Sequence, residues 1–417
     1  MEVDQQRLRQ DILETAEFGS LDVDDGYGRT VLTGSEADRV AREYLIDRLE
    51  AEGLTVRVDP VGNIAGRWTP DGVGPDVAPI AVGSHLDSVP RGGIFDGPLG
   101  VYAALEAVRT IRTADVSLDR PLEVVSFTEE EGGRFGIGTL GSSVATGLRP
   151  VADALELEDD EGWTLRERLS AIGFNGDEQI DPAEWDAWLE LHIEQGTRLE
   201  SSGASVGIVD AITGITNCLV TVSGNADHAG TTLMDERADA LVAAADFVSR
   251  VESIASEIAS EHPAAVATVG RHTVEPNVRN VVPGHVEMEL DIRDVEHETM
   301  TALVDRIRAA LDEVARTYSV ETTIDRFRDD APSKMSKRCV DAAAKAADSA
   351  GLETERLHSA AMHDTANVSE VTDAGLLFAP SESGFSHSPK EWTDWDDCAA
   401  STTVLTELVA RLASSAI

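Results

Sequence analysis

The chain has 417 residues, long enough for a large buried core and of a length that usually divides into two domains. It carries 77 acidic against 34 basic side chains, a formal charge of −43, with lysine only at Lys334, Lys337, Lys345 and Lys390. This balance excludes nucleic-acid binding, since no cationic surface exists to displace phosphate counterions.

There is no apolar run of about 18 residues and no basic, apolar leader, so a cytoplasmic chain without a membrane partner is expected. The acids are spread along the whole sequence; the one short block, "LELEDDEGW" at 155–163, is not an acidic tail. In about 1 M salt the Debye length falls to roughly 3 Å, so such a surface stops repelling itself and stays hydrated. A halophilic protein is predicted. Cys218, Cys339 and Cys398 lie far apart, suggesting neither a disulfide framework nor a thiolate cluster, and are expected to be small buried residues.

In chain order, "SEADRVAREYLIDRLEAEG" reads as an amphipathic helix: Ala37, Val40, Ala41, Tyr44, Leu45 and Leu49 share a face, Ser35 caps it and Gly53 stops it. Further helices are predicted near 99–112, 237–258, 297–316, 338–350 and 394–413. Between them stand short apolar runs with strand character, "PIAVGSH", "LEVVSFTEE", "AWLELHIEQG" and "GLLFAPSES", each ending in polar residues. Alternation of this kind indicates an α/β domain, whose ligands gather beyond the carboxyl ends of the strands.

The middle of the chain differs. "NCLVTVSG", "AAVATVGRHTV" and "VEMELDIRD" alternate apolar and polar residues, as a sheet with one exposed face does. An inserted α+β domain is therefore expected at 212–328, with residues 1–211 and 329–417 forming one discontinuous domain.

Candidate chemistry collects at the strand ends: His85 and Asp96 in "GSHLDSVPRGGIFDGPLG", the "EEE" run at 129–131, His192, and His387 in "SGFSHSPKE". Three imidazoles and two or more carboxylates on one edge suit a pair of first-row divalent ions held about 3.5–4 Å apart. Asp96, in a glycine-flanked turn, is placed to bridge them, and the glycines would let the backbone come close. Such ions acidify bound water from about 15.7 toward about 7, and one of the three glutamates is the natural base beside it.

The succession "GSHLDSVPRGGIFDGPLGV", "FTEEEGGRF", "LHIEQG", "ADHAGTTLMDERADA", "NVRNVVPGHVEMELDIR" and "GFSHSPKEWT" resembles the hydantoinase/carbamoylase family of amidases, over about residues 80–395. That family includes N-carbamoyl-L-amino acid hydrolases, β-ureidopropionases and allantoate amidohydrolases. The resemblance implies a dinuclear-zinc-aminopeptidase-like catalytic domain, a mixed sheet flanked by helices, with the insert as a lid and dimerisation domain of a homodimer.

It also implies roles. His85, Glu131, His192 and His387 match metal ligands, Asp96 the bridge, Glu130 the catalytic base, and Asp87 the acid that orients His85. His228 in "DHAGTT" matches an oxyanion-stabilising histidine, often supplied across a dimer. Gln195, Asn280 and Arg293 match substrate contacts, Arg293 taking a carboxylate in the two-pronged way of a guanidinium.

There are departures. "SAAMHDT" at 359–365 stands where the family commonly has "SGAGHDA"; His363 is a candidate site residue and not a ligand. "HAGTTLM" replaces "HAGTTPM", and Asn217 stands where the allantoate branch has an arginine, so no second cationic fork is offered there. The implied cofactors are two divalent ions, Zn2+ foremost, with Mn2+, Co2+ or Ni2+ as alternatives. The implied reaction is hydrolysis of an N-carbamoyl-L-amino acid, with an aminoacylase or peptidase on the same scaffold as the competing reading.

Overall fold

The computed structural model describes residues 1–114 and 116–414. The chain forms two compact units, Met1–Asp210 with Met335–Ile417, and Ala211–Lys334.

The first unit is α/β and is built on a mixed sheet. Its strands run in the order Thr55–Val58, Ile64–Trp68, Leu122–Phe127, Ile80–His85, Ala187–Ile193, Ala374–Ala379, Val206–Ile212. The four central strands, from Leu122–Phe127 to Ala374–Ala379, are mutually parallel, and their outer neighbours Ile64–Trp68 and Val206–Ile212 join them antiparallel. Every residue of those four is buried, which is why they read as unbroken apolar runs: both faces are covered. Helices Pro98–Thr113 and Trp395–Ala413 pack on each other, and Lys337–Ala350 packs on the latter.

Parallel strands all deliver their carboxyl ends to one edge. His85 ends its strand in register with Phe127, two residues before the glutamate run, and His192 pairs with Phe378. Strand polarity alone thus gathers residues 85, 129–131, 192 and 381–387 from four separate stretches of sequence.

The second unit is an antiparallel sheet in the order Val266–Glu275, His285–Asp294, Gly214–Ser223, Glu321–Asp330. Val286, Met288, Leu290 and Ile292 alternate inward onto helices Ala240–Ala259 and His297–Tyr318, in a core that also holds Phe247, Leu303 and Ile307. The helix predicted from 237 starts three residues later, because Met234–Glu236 forms a 3-10 turn and the Asp239 carboxylate accepts the N–H groups of Leu241 and Val242. The strand Glu321–Asp330 has no counterpart in the sequence reading. It is an edge strand whose "ETTIDRFRDD" is largely solvated, and it runs through residue 328, where the return to the first domain was expected.

Among the described residues no helix is long and apolar enough to cross a membrane. Cys218, Cys339 and Cys398 are free and buried.

Candidate metal centre

The turn after the first site strand explains its glycines. Gly97 sits at φ +83°, and a Cβ there would lie 2.6 Å from the His85 imidazole. A Cβ at Gly93 would lie 2.2 Å from the Glu391 carboxylate. In this turn the glycines make room for site side chains. Pro98 then starts the helix Pro98–Thr113, so Asp96 is held just ahead of a rigid element.

Asp96 divides two groups of donors. Its Oδ1 lies 3.1 Å from His192 Nε2 and 3.4 Å from His85 Nε2, while its Oδ2 lies 3.6 Å from His387 Nε2. His387 Nε2 is in turn 3.2 Å from Glu131 Oε2. In each trio, His85–Asp96–His192 and Asp96–Glu131–His387, the donor atoms lie within 4.8 Å of one another. One carboxylate with an oxygen in each of two N/O donor sets is a donor arrangement that suits divalent metal.

The histidines are turned the right way for metal. His85 Nδ1 lies 3.2 Å from the Asp87 carbonyl and His192 Nδ1 3.0 Å from the Ile193 carbonyl. A nitrogen beside a carbonyl carries a proton, so Nε2 is the ring atom that each histidine turns toward Asp96. His85 Nε2 is buried without a hydrogen-bond partner among the described residues, as expected of a nitrogen awaiting a cation.

Electrostatics agree. Burial presses the His85 pKa down, yet the carboxylates of Glu130, Asp87 and Asp96 overcome it and hold the imidazole well above its usual range. His192 is raised against burial by Asp96, and His387 is pushed up to about 9, chiefly by its hydrogen bond to Glu131. A buried excess of negative charge draws in protons when no other cation compensates it.

The three glutamates separate by backbone. Glu129, at φ +56°, turns away and accepts the N–H groups of Arg134 and Phe135, each at 2.7 Å, which closes the loop. Glu130 is buried with Oε2 3.7 Å from His85 Nε2, and burial holds its carboxyl well above the usual carboxylate range. Asp87, read as orienting His85, also accepts the N–H groups of Glu130 and Glu131 at 3.2 and 3.1 Å, so it fixes both loop and imidazole.

Two further candidates lie beside these donors. Gln195, expected to touch substrate, donates from Nε2 to Asp96 Oδ2 at 2.8 Å. Its φ of +56° turns the chain after the His192 strand so that the amide reaches the bridge. His363 is buried, its ring 4.5 Å from that of His192 and its Nε2 2.9 Å from Ser359 Oγ. Burial keeps it well below its usual pKa, so it packs as a neutral neighbour.

Sequence reasoning missed Ser386, whose Oγ donates to Asp96 Oδ2 at 2.9 Å, and Glu391, whose Oε1 accepts the N–H groups of Phe95 and Asp96 at 2.8 and 3.0 Å. Both lie in "SGFSHSPKE", within four residues of His387, and that proximity was the available signal.

The remaining candidates belong to the second unit. His228 Nδ1 accepts the N–H groups of Gly230 and Thr231 at 3.0 and 3.2 Å, so the neutral ring carries its proton on Nε2 as a donor. Asn280 is its neighbour: the short strand Asp227–His228 pairs with Val281–Val282, and Ala229 N–H donates to the Asn280 carbonyl. Arg293 is gripped by Asp291, Nε to Oδ1 at 2.8 Å, and Asn217, opposite Asp291 in register, donates to Asp291 Oδ2 at 3.1 Å.

Residues 81–411 match the model of Peptidase family M20/M25/M40, a metal-dependent family. The chain is 39% identical, over 98% of both chains, to an N-carbamoyl-L-amino-acid amidohydrolase of Paenarthrobacter aurescens. It is 34% identical, over 95% of both, to an allantoate amidohydrolase of Bacillus subtilis. Its fold superposes with a TM-score of 0.92 on a hydantoinase/carbamoylase family amidase from Burkholderia multivorans, 32% identical, covering 100% of this chain and 99% of that one. With its paired donor sets in place, the chain belongs to Peptidase family M20/M25/M40 and, within it, to the hydantoinase/carbamoylase amidases.

Proposed function

We propose that the protein hydrolyses the carbamoyl carbon–nitrogen bond of N-carbamoyl-L-amino acids, consuming water and releasing the amino acid, ammonia and CO2. The observation that carries this reading is the division of Asp96, one oxygen toward two buried imidazoles and the other toward His387, beside the buried carboxyl of Glu130. The full-length similarity to the P. aurescens amidohydrolase supplies the substrate class.

His85 and His192 would hold one divalent ion and Glu131 and His387 the other, with Asp96 between; Zn2+ is proposed, with Mn2+, Co2+ and Ni2+ as competent substitutes. Ions at such a site supply Lewis acidity and a nucleophile at neutral pH. Glu130 takes the proton of the attacking water and delivers it to the leaving nitrogen, a role suited to a carboxyl raised by burial. His228 donates from Nε2 to the carbonyl oxygen as negative charge develops there. Arg293 and Asn280 receive the amino acid's carboxylate, with Asn217 beside them. The second unit is proposed as a lid and dimerisation module of a homodimer adapted to a salty cytoplasm.

Allantoate is the second reading, favoured by the similarity to the B. subtilis enzyme. Asn217 weighs against it, because an asparagine offers no guanidinium to a further carboxylate or ureido group.

The test is ammonia release by purified protein in molar KCl with added Zn2+ or Mn2+, using N-carbamoyl-L-amino acids, allantoate, N-acetyl amino acids and dipeptides, the last two followed by free amine. Ammonia from the carbamoyl substrates is expected. Free amine from acetyl or dipeptide substrates alone would move the protein to an aminoacylase or peptidase and overturn the proposal.

A further inference from the structure

We infer that Asn63 is a positioning residue for the glutamate loop: its side-chain amide ties both limbs of the segment 128–141, which carries Glu130 and Glu131, to the central sheet. The inference rests on the proposed roles of those two glutamates and assigns a part in the reaction to a residue outside both donor sets.

The strand Ile64–Trp68 runs antiparallel to Leu122–Phe127, and their register ends at Ile64 and Ser126. Just beyond that rung Asn63, fully buried, continues the pairing with its side chain. Its Oδ1 accepts the Thr128 N–H at 2.9 Å and its Nδ2 donates to the Gly141 carbonyl at 3.0 Å. A backbone N–H can only donate and a carbonyl only accept, so these partners fix which end of the amide faces which. The second hydrogen of Nδ2 goes to Asp59 Oδ2 at 2.7 Å, while Asp59 Oδ1 accepts the N–H groups of Val61 and Asn63 at 3.0 and 2.9 Å. Asp59 therefore holds the amide in one orientation.

Thr128 and Gly141 are the two limbs at the neck of the loop. Gly141 N–H donates to the Thr128 carbonyl at 2.8 Å, Leu140 N–H to that of Glu129 at 3.1 Å and Thr139 N–H to that of Glu130 at 2.7 Å. These bonds join the limbs to each other; the Asn63 amide joins the pair to the sheet. A Cβ at Gly141 would lie 2.2 Å from Asn63 Oδ1, so the fit is close. Without the amide, the buried Thr128 N–H loses its acceptor, and the neck must shift to find another, taking Glu130, two residues on, with it. Catalysis depends on the placement of such a group to about 1 Å.

The experiment follows amide hydrogen exchange of the full chain by mass spectrometry without added metal, and separately kcat and KM on an N-carbamoyl-L-amino acid at saturating Zn2+. In Asn63→Ala, residues 128–141 are expected to exchange about tenfold faster or more, as the loss of a buried hydrogen bond allows, while the strand Ala374–Ala379 keeps its protection. The kcat should fall about 10²-fold, the scale of a roughly 1 Å displacement of a catalytic group, with KM within about twofold. Asp59→Asn, which leaves the volume almost unchanged and sets an amide NH2 against Asn63 Nδ2, should give the same two effects, and the double variant should be no worse than Asn63→Ala. If Asn63→Ala fails to fold, Asp59→Asn decides in its place. Unchanged exchange at 128–141 would overturn the inference, and so would faster exchange throughout the sheet, which would make Asn63 a support of the whole fold. A loosened loop with wild-type kcat, or with KM alone raised, would likewise overturn it by denying the positioning role. A wild-type protein that hydrolyses no carbamoyl substrate would instead overturn the proposed function beneath it.

Discussion

Glu129, Glu130 and Glu131 are indistinguishable as letters, and their backbone gives them different surroundings. Glu129 bends back at φ +56° to close the loop, Glu131 reaches His387, and Glu130 is left buried beside His85. A run of three glutamates in so acidic a chain reads as a solvated stretch, and φ at the first of them, set by tertiary contacts, decides which is which. If Glu130 is the proton carrier, Glu130→Gln should lower kcat by about 10²–10⁴-fold, the range for lost acid–base catalysis, while elemental analysis finds the metal content unchanged. Asp96→Ala should lose both activity and metal. Near-normal turnover in Glu130→Gln would exclude it as the base. His85 and His192 were legible for the opposite reason: each stands at the end of an apolar run, a position visible in sequence because a fully covered parallel strand admits few polar residues.

At the scale of elements, the turn between the His85 strand and the helix Pro98–Thr113 tolerates no side chain. Gly97→Ala would force a Cβ against the His85 ring and strain a positive φ, so the variant should be destabilised by about 1–3 kcal/mol, read as a lower Tm, and should hold metal poorly. A wild-type Tm would show that the turn relaxes freely. The acidic stretch at 155–163 holds a structural anchor. Asp159 accepts the N–H groups of Glu161 and Trp163, each at 3.0 Å, and pairs with Arg134 of the glutamate loop and with Arg168. Burial raises its pKa, but these partners outweigh burial and hold it at about 2. A folded-state pKa below the unfolded value of about 3.9 means that stability from this group is complete above that value and is lost as pH falls through about 2. Asp159→Asn should therefore cost about 1 kcal/mol near neutral pH, allowing for solvent screening, and almost nothing near pH 2. Chemical denaturation of both proteins across pH 2–7 measures the difference, and a gap that persists undiminished at acid pH would refute the assignment.

For the whole molecule, a formal charge of −43 sets the expected response to salt. Self-repulsion over a surface this acidic is screened as the Debye length falls from about 10 Å at 0.1 M to about 3 Å at 1 M, so Tm should rise markedly between 0.1 and 2 M KCl. A flat or falling Tm would end the halophilic reading. Composition and apolar pattern by themselves determined the α/β class, the four site strands, the insert between them and the identity of the ligand candidates, because strand burial and carboxyl-end placement leave local marks in sequence. The edge strand Glu321–Asp330 left none, being solvated on most of its length. Only the tertiary structure decided which glutamate lies beside His85, that Gln195 faces Asp96, and that Glu391 holds the turn of a residue nearly 300 positions away. Those facts depend on which buried donor finds which acceptor once the strands are aligned, and hydrogen bonds between distant segments leave no periodicity in the chain.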